Sequence, residues 1–138
     1  MPELSRFVDA QAGVYGTVLA ELRAGRKQTH WMWFIFPQLA ALGRSPTAKF
    51  YGLAGLEEAR EYLRHEVLGP RLLECTGLVN AVSGRSAHEI FGSPDDLKFR
   101  SCVTLFHHAA PKEAMFTEAL QKYCGSEDER TVQALEEE

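Results

Sequence analysis

His30-Trp31-Met32-Trp33-Phe34-Ile35-Phe36-Pro37-Gln38-Leu39 is the stretch on which the fold of this chain turns. It holds both tryptophans and two of the eight phenylalanines, and no Asp, Glu, Lys or Arg lies between Lys27 and Arg44. A bilayer span needs about 20 apolar residues, so the run does not cross a membrane. A segment apolar on every side reads as a buried central element rather than a surface helix with one apolar stripe. His30 and Gln38 are its polar members, and a buried polar group has to find a partner. Pro37 ends a helix begun near Thr29 and frees backbone carbonyls beside Gln38.

Working outward, Phe7 to Arg26 predicts an amphipathic helix, with Val14, Tyr15, Val18, Leu19 and Leu22 at helical spacing and Gly25 at its end. Ser45-Pro46 and Ser93-Pro94 each pair an N-cap with a proline at the first helical position. Further helices follow Gly55 and run from Leu68 to near Gly84. Ser86-Ala87-His88-Glu89 is a capping box. The helix after Pro94, to about His108, carries Phe99, Cys102, Val103 and Phe106 on one face, which makes it a second buried element. Helices near 113–124 and 128–136 close the chain. Period-two alternation is scarce and no repeat is visible. The expected fold is all-α: a single compact multihelical domain over residues 1–138, with two buried central helices and frayed ends at 1–5 and 136–138.

Bulk composition sets the limits. A chain of 138 residues, 45% hydrophobic and 25% charged, is of the size and character of one globular domain. A net charge of −4 argues against a binder of double-stranded nucleic acid, which normally carries a basic patch. Three widely spaced cysteines suit reduced thiols, and no N-terminal stretch has the layout of an export signal. The expectation is a cytoplasmic protein without membrane association. The spacing of His and Cys gives no metal signature, no Gly-rich phosphate loop is present, and no cofactor is expected. A Cys–His nucleophile pair needs only proximity in space and stays open.

Two places can carry chemistry. Trp31, Trp33 and Phe36 can stack on a planar ligand, with His30 and Gln38 at the edges; the same residues can equally be core, in which case Trp33→Ala costs about 3–5 kcal/mol. The second place is Asp95-Asp96-Leu97-Lys98-Phe99-Arg100-Ser101. Helical spacing puts Lys98 on the side of Ser101 and Cys102, where a desolvated lysine can act as a nucleophile. The plainer alternatives are an ion pair between Asp95 and Lys98, and hydroxyls of Ser101 and Thr104 bonded back to the preceding turn.

The stretch His30 to Gln38, together with Leu42-Gly43-Arg44-Ser45, Leu68-Gly69-Pro70-Arg71-Leu72, Ile90-Phe91-Gly92 and Pro94-Asp95-Asp96-Leu97-Lys98, closely resembles the bacterial family known as domain of unknown function 1810. That family is also labelled calpastatin, but a compact bacterial domain gives no support to a calpain-inhibitor role. The resemblance covers nearly the whole chain and implies a multihelical fold with two buried central helices, like that of a mycobacterial representative. Where many members have Ser-Ser-Met-Thr-Leu-Phe, this chain has Ser101-Cys102-Val103-Thr104-Leu105-Phe106. A fainter similarity, carried by Phe36 to Gln38 and Asp95 to Lys98, reaches the NADAR (YbiA-like) N-glycosidases, which act on ADP-ribose-linked or ribosylamine substrates.

Two functions follow as expectations. In the first, the aromatic stretch holds a nucleotide-like or ADP-ribose-like ligand. There His30, Trp31, Trp33, Phe36, Gln38, Arg44 (or Arg26), Ser101 and Thr104 bind it. Lys98 and Asp96 are then catalytic in hydrolysis of a C–N glycosidic bond. In the second, the domain is a non-catalytic module for a small ligand or a protein partner. Oligomeric state is not legible.

Overall fold

The computed structural model describes residues 4–138, so residues 1–3 of the expected frayed N-terminus lie outside the described residues. Ten α-helices and no strand are found among the described residues. In order they are α1 (Ser5–Gln11), α2 (Tyr15–Arg23), α3 (Met32–Ile35), α4 (Pro46–Phe50), α5 (Leu56–Arg64), α6 (Leu68–Ala81), α7 (Ala87–Phe91), α8 (Asp95–Ala109), α9 (Ala114–Ala119) and α10 (Glu129–Glu136). A 3₁₀ turn covers Ala40–Leu42 and a π-turn covers Leu120–Cys124. One isolated parallel bridge joins Leu39 to Leu53.

Helix α8 lies at the centre and packs against α5, α7, α9 and α10. Phe99, Cys102, Val103, Leu105 and Phe106 on it are wholly buried, while Leu97 at its first turn is 58% exposed. The aromatic stretch is buried too, with Trp31, Met32, Ile35, Phe36 and Leu39 all in the core. It forms a single helical turn between irregular segments, starting at Met32 and not near Thr29. The cause is Glu21. Its carboxylate accepts from the backbone N–H groups of Gln28 and Thr29, which are thereby drawn toward α2.

The expected helix from Phe7 to Arg26 is two helices. The chain turns at Gly13, whose φ of 81° is open to glycine but costly for other residues. Caps are where the sequence puts them at Ser45 and at Ser86, where both halves of the capping box form. The Ser93 cap does not form. Pro94 is the N-cap of α8 and no side chain caps it; the first turn is closed from the backbone by Asp96 N to Gly92 O at 2.9 Å. At the far end, the Glu138 carboxylate accepts from Leu56 N at 3.1 Å, so the run expected to fray meets the start of α5.

Candidate functional site

The two sequence-predicted places meet in space. Lys27, His30 and Trp31 from the loop before α3, Met32 and Trp33 from the start of α3, and Asp95 and Lys98 from the first turn of α8, line one cleft of about 220 Å³. The loop is held from below. Besides the two backbone N–H groups, the Glu21 carboxylate accepts from Thr29 Oγ1 at 2.7 Å and from Trp31 Nε1 at 3.0 Å. Burial alone would raise the pKa of Glu21, but these hydrogen bonds from Gln28, Thr29 and Trp31 outweigh it and hold the group at about 2. Trp31 is thus fixed by its indole N–H, and Lys27 N donates to Ile90 O at 2.7 Å on α7.

Across the cleft, Asp95 gathers both lysines. Lys27 Nζ lies 2.8 Å from Asp95 Oδ2 and Lys98 Nζ lies 3.2 Å from Asp95 Oδ1. The ammonium of Lys98 also sits 3.5 Å above the centre of the Trp33 ring, and that of Lys27 lies 5.1 Å from the Trp31 ring. The i,i+3 pair of Asp95 and Lys98 weighed at the sequence level is therefore formed, and it is largely shielded, with 18% exposure on each side chain. Two cations against one carboxylate leave one surplus positive charge. Lys98 Nζ is thus held between the Asp95 carboxylate and the face of the Trp33 ring.

Several expected site residues lie elsewhere. Asp96 turns away from Lys98: its Oδ1 accepts from Leu97 N and its Oδ2 is 3.5 Å from His88 Nδ1. Successive helical residues point about 100° apart, so only one of two adjacent acids can face the cleft. Phe36 is core, packed edge-on against Phe91 and Phe99 at ring distances of 5.8 and 5.2 Å. Ser101 and Thr104 are buried and donate to Leu97 O and Arg100 O, the back-bonding considered above. Thr104 Oγ1 also accepts from Asp128 N, which ties α8 to the start of α10. Arg44 is exposed and does not line the cleft, and Gln38, half-buried, contributes its backbone carbonyl to Leu53 N. Trp33 is half-buried, so the deeply buried tryptophan is Trp31.

Sequence reasoning missed Glu21 and Lys27. A lone acid at the end of an amphipathic helix looks like a solvated residue, and Lys27 looks like a helix-terminal charge. Only the run of donors at Gln28, Thr29 and Trp31 hinted at a shared acceptor. The Cys–His nucleophile is not favoured: burial pushes the thiol of Cys75 up to about 12 and that of Cys124 to about 11, with Cys102 raised well above its ordinary value. His107 and His108 both face Glu127, with Nε2–Oε1 distances of 4.0 and 2.9 Å. Among the described residues no group of three or more His, Cys, Asp or Glu stands close enough to hold a metal ion. None of the helices among them is long and apolar enough to cross a membrane.

Residues 1–135 match the model of a family described as protein of unknown function (DUF1810). The crystal structure of the conserved hypothetical protein Rv1873 from Mycobacterium tuberculosis is similar at a TM-score of 0.96 and 60% identity, over 98% of this chain and 97% of that one. No curated protein matches the chain.

Proposed function

The chain belongs to the DUF1810 family, whose description assigns no activity, and we propose from its own geometry that the domain binds a small anionic, sugar-phosphate-sized ligand between Lys27 and Lys98. The observation that carries this reading is the convergence of two ammonium groups on the single carboxylate of Asp95, beside two indole rings. Lys27 is 8% and Lys98 18% exposed, so a further anion entering the cleft meets positive charge that water screens only in part. His30 is exposed beside them, a third group able to donate to an oxyanion. The cleft volume of about 220 Å³ is below the roughly 300–1,000 Å³ of sites that enclose drug-sized molecules. It suits one phosphorylated sugar of a nucleotide-like ligand, with any base or second phosphate left outside.

Calorimetric titration with ribose phosphate, adenosine monophosphate and ADP-ribose tests the proposal. Wild-type binding should be lost in Lys98→Met and kept in Arg44→Ala. A ligand at a hundred times its dissociation constant stabilises the fold by about 2.7 kcal/mol, readily seen as a rise in melting temperature. No binding by any of these anions, or equal binding by Lys98→Met, overturns the reading.

The hydrolytic form of the proposal gives general acid–base work to Asp95 in place of Asp96, and phosphate binding to Lys98, with cleavage of a C–N glycosidic bond as the reaction. Release of the free base or amine from a ribosylamine or ADP-ribose-linked substrate, absent in Asp95→Asn, is its readout. Binding without turnover leaves a ligand-binding module. The unpaired cysteines suit the reducing cytoplasm to which this reading assigns the protein.

A further inference from the structure

We propose that a second site, separate from the lysine cleft, binds an amphipathic monoanion: an apolar body bearing one carboxylate or sulfonate. A groove of about 520 Å³ is bounded by Arg6, Ala40, Lys49, Phe50, Ala54 and Glu58. None of the binding or catalytic candidates from the sequence lines it. Its size falls inside the roughly 300–1,000 Å³ of small-molecule sites, and its surface is mostly apolar.

The groove is built, not incidental. Arg6 Nε donates to Phe50 O at 2.7 Å and Arg6 Nη2 donates to Gly52 O at 2.9 Å. The same Nη2 lies 3.5 Å from Glu58 Oε1, which accepts from Ala54 N at 2.8 Å. One ion pair, 11% and 8% exposed, therefore sets the backbone of the 50–54 segment, and a ligand has no loop to order on arrival.

Phe50 is held at the groove with 59% of its surface in solvent. An isolated exposed phenylalanine needs no explanation, but this one lines an apolar groove and its ring is fixed edge-on to Tyr51 at 4.9 Å. The charge of Arg6 is matched by Glu58. Lys49 makes no ion pair among the described residues, so the groove has apolar walls and one unmatched cation. An apolar body against Phe50, Ala40 and Ala54 with its single negative charge toward Lys49 satisfies both features.

The test is a fluorescence titration of the full chain with anilinonaphthalene sulfonate, an aromatic body carrying one sulfonate. Expected is saturable one-site binding that Phe50→Ser weakens by about tenfold, the loss of one aromatic anchor. Lys49→Glu should weaken it as well, and Lys98→Met should leave it unchanged. Lys49 is exposed, so its variant remains a valid test should Phe50→Ser fold poorly. The proposal is overturned by an absence of saturable binding. It is equally overturned by wild-type affinity in both groove variants, by loss of binding in Lys98→Met, or by equal affinity for the neutral phenylnaphthylamine.

Discussion

Glu21 accepts four hydrogen bonds inside the protein. Its carboxylate joins the end of α2 to the loop that carries Lys27, His30 and Trp31, through bonds from Gln28, Thr29 and the indole of Trp31. In Glu21→Gln one oxygen becomes an NH₂ that faces donors. The expected cost is about 2–3 kcal/mol, from hydrogen bonds to a charged acceptor lost inside the protein, read as a fall in the urea midpoint at pH 7. The pH dependence has a definite sign. The folded-state pKa is lowered from 4.5 to about 2, so the stabilisation is complete above the unfolded value and is lost as pH falls toward 2. Urea midpoints measured between those limits should drop more steeply in wild type than in Glu21→Gln. Parallel acid limbs would remove Glu21 as the source.

At the level of elements, most of the helices and their caps were legible before any coordinates, since spacing and capping are local properties. Ser45 and Ser86 accept from Ala48 N and Glu89 N as their motifs demand. Asp128 accepts from Thr131 N at 3.0 Å and from Thr131 Oγ1 at 2.6 Å. Asp128→Ala should therefore cost about 1 kcal/mol, a usual value for a lost N-cap, and lower the melting temperature. Other elements broke the local rules because packing outweighed them. The break at Gly13 lets α1 and α2 meet different partners, α3 and α6 respectively. Gly69 records the closest approach: a Cβ there would lie 2.1 Å from Leu63 O, at the end of α5. Gly69→Ala should destabilise by about 1–3 kcal/mol through forced separation of α5 and α6. A melting temperature equal to wild type would show that this corner can open freely.

For the molecule as a whole, stability and the candidate site are drawn from the same two segments, with Trp31 and Met32 serving both. Phe36 and Phe99 meet Phe91 inside, while Lys98, one residue before Phe99, faces the cleft. Phe99→Ala should cost about 3–5 kcal/mol by chemical denaturation. Lys98→Met should change stability by no more than about 1 kcal/mol, since partly exposed ion pairs contribute little, while removing anion binding. If the two variants were equally destabilised, the lysine would be a structural staple and not a binding group.

What could be read from residue order was whatever depends on near neighbours: an all-helical chain, the buried face of α8, the caps, and two apolar segments around which the rest packs. Apolar periodicity and capping act over three or four residues, and a folded core has to respect them. The candidate site depended on meetings that no local pattern encodes. Lys27 reaches Asp95 and Arg6 reaches Glu58 across long stretches of sequence, and Asp95 rather than Asp96 faces the cleft because of how α8 is rotated against its neighbours. Such pairings are settled by which faces of the helices bury the most apolar surface together, and the polar groups then bond with whatever that packing brings within reach.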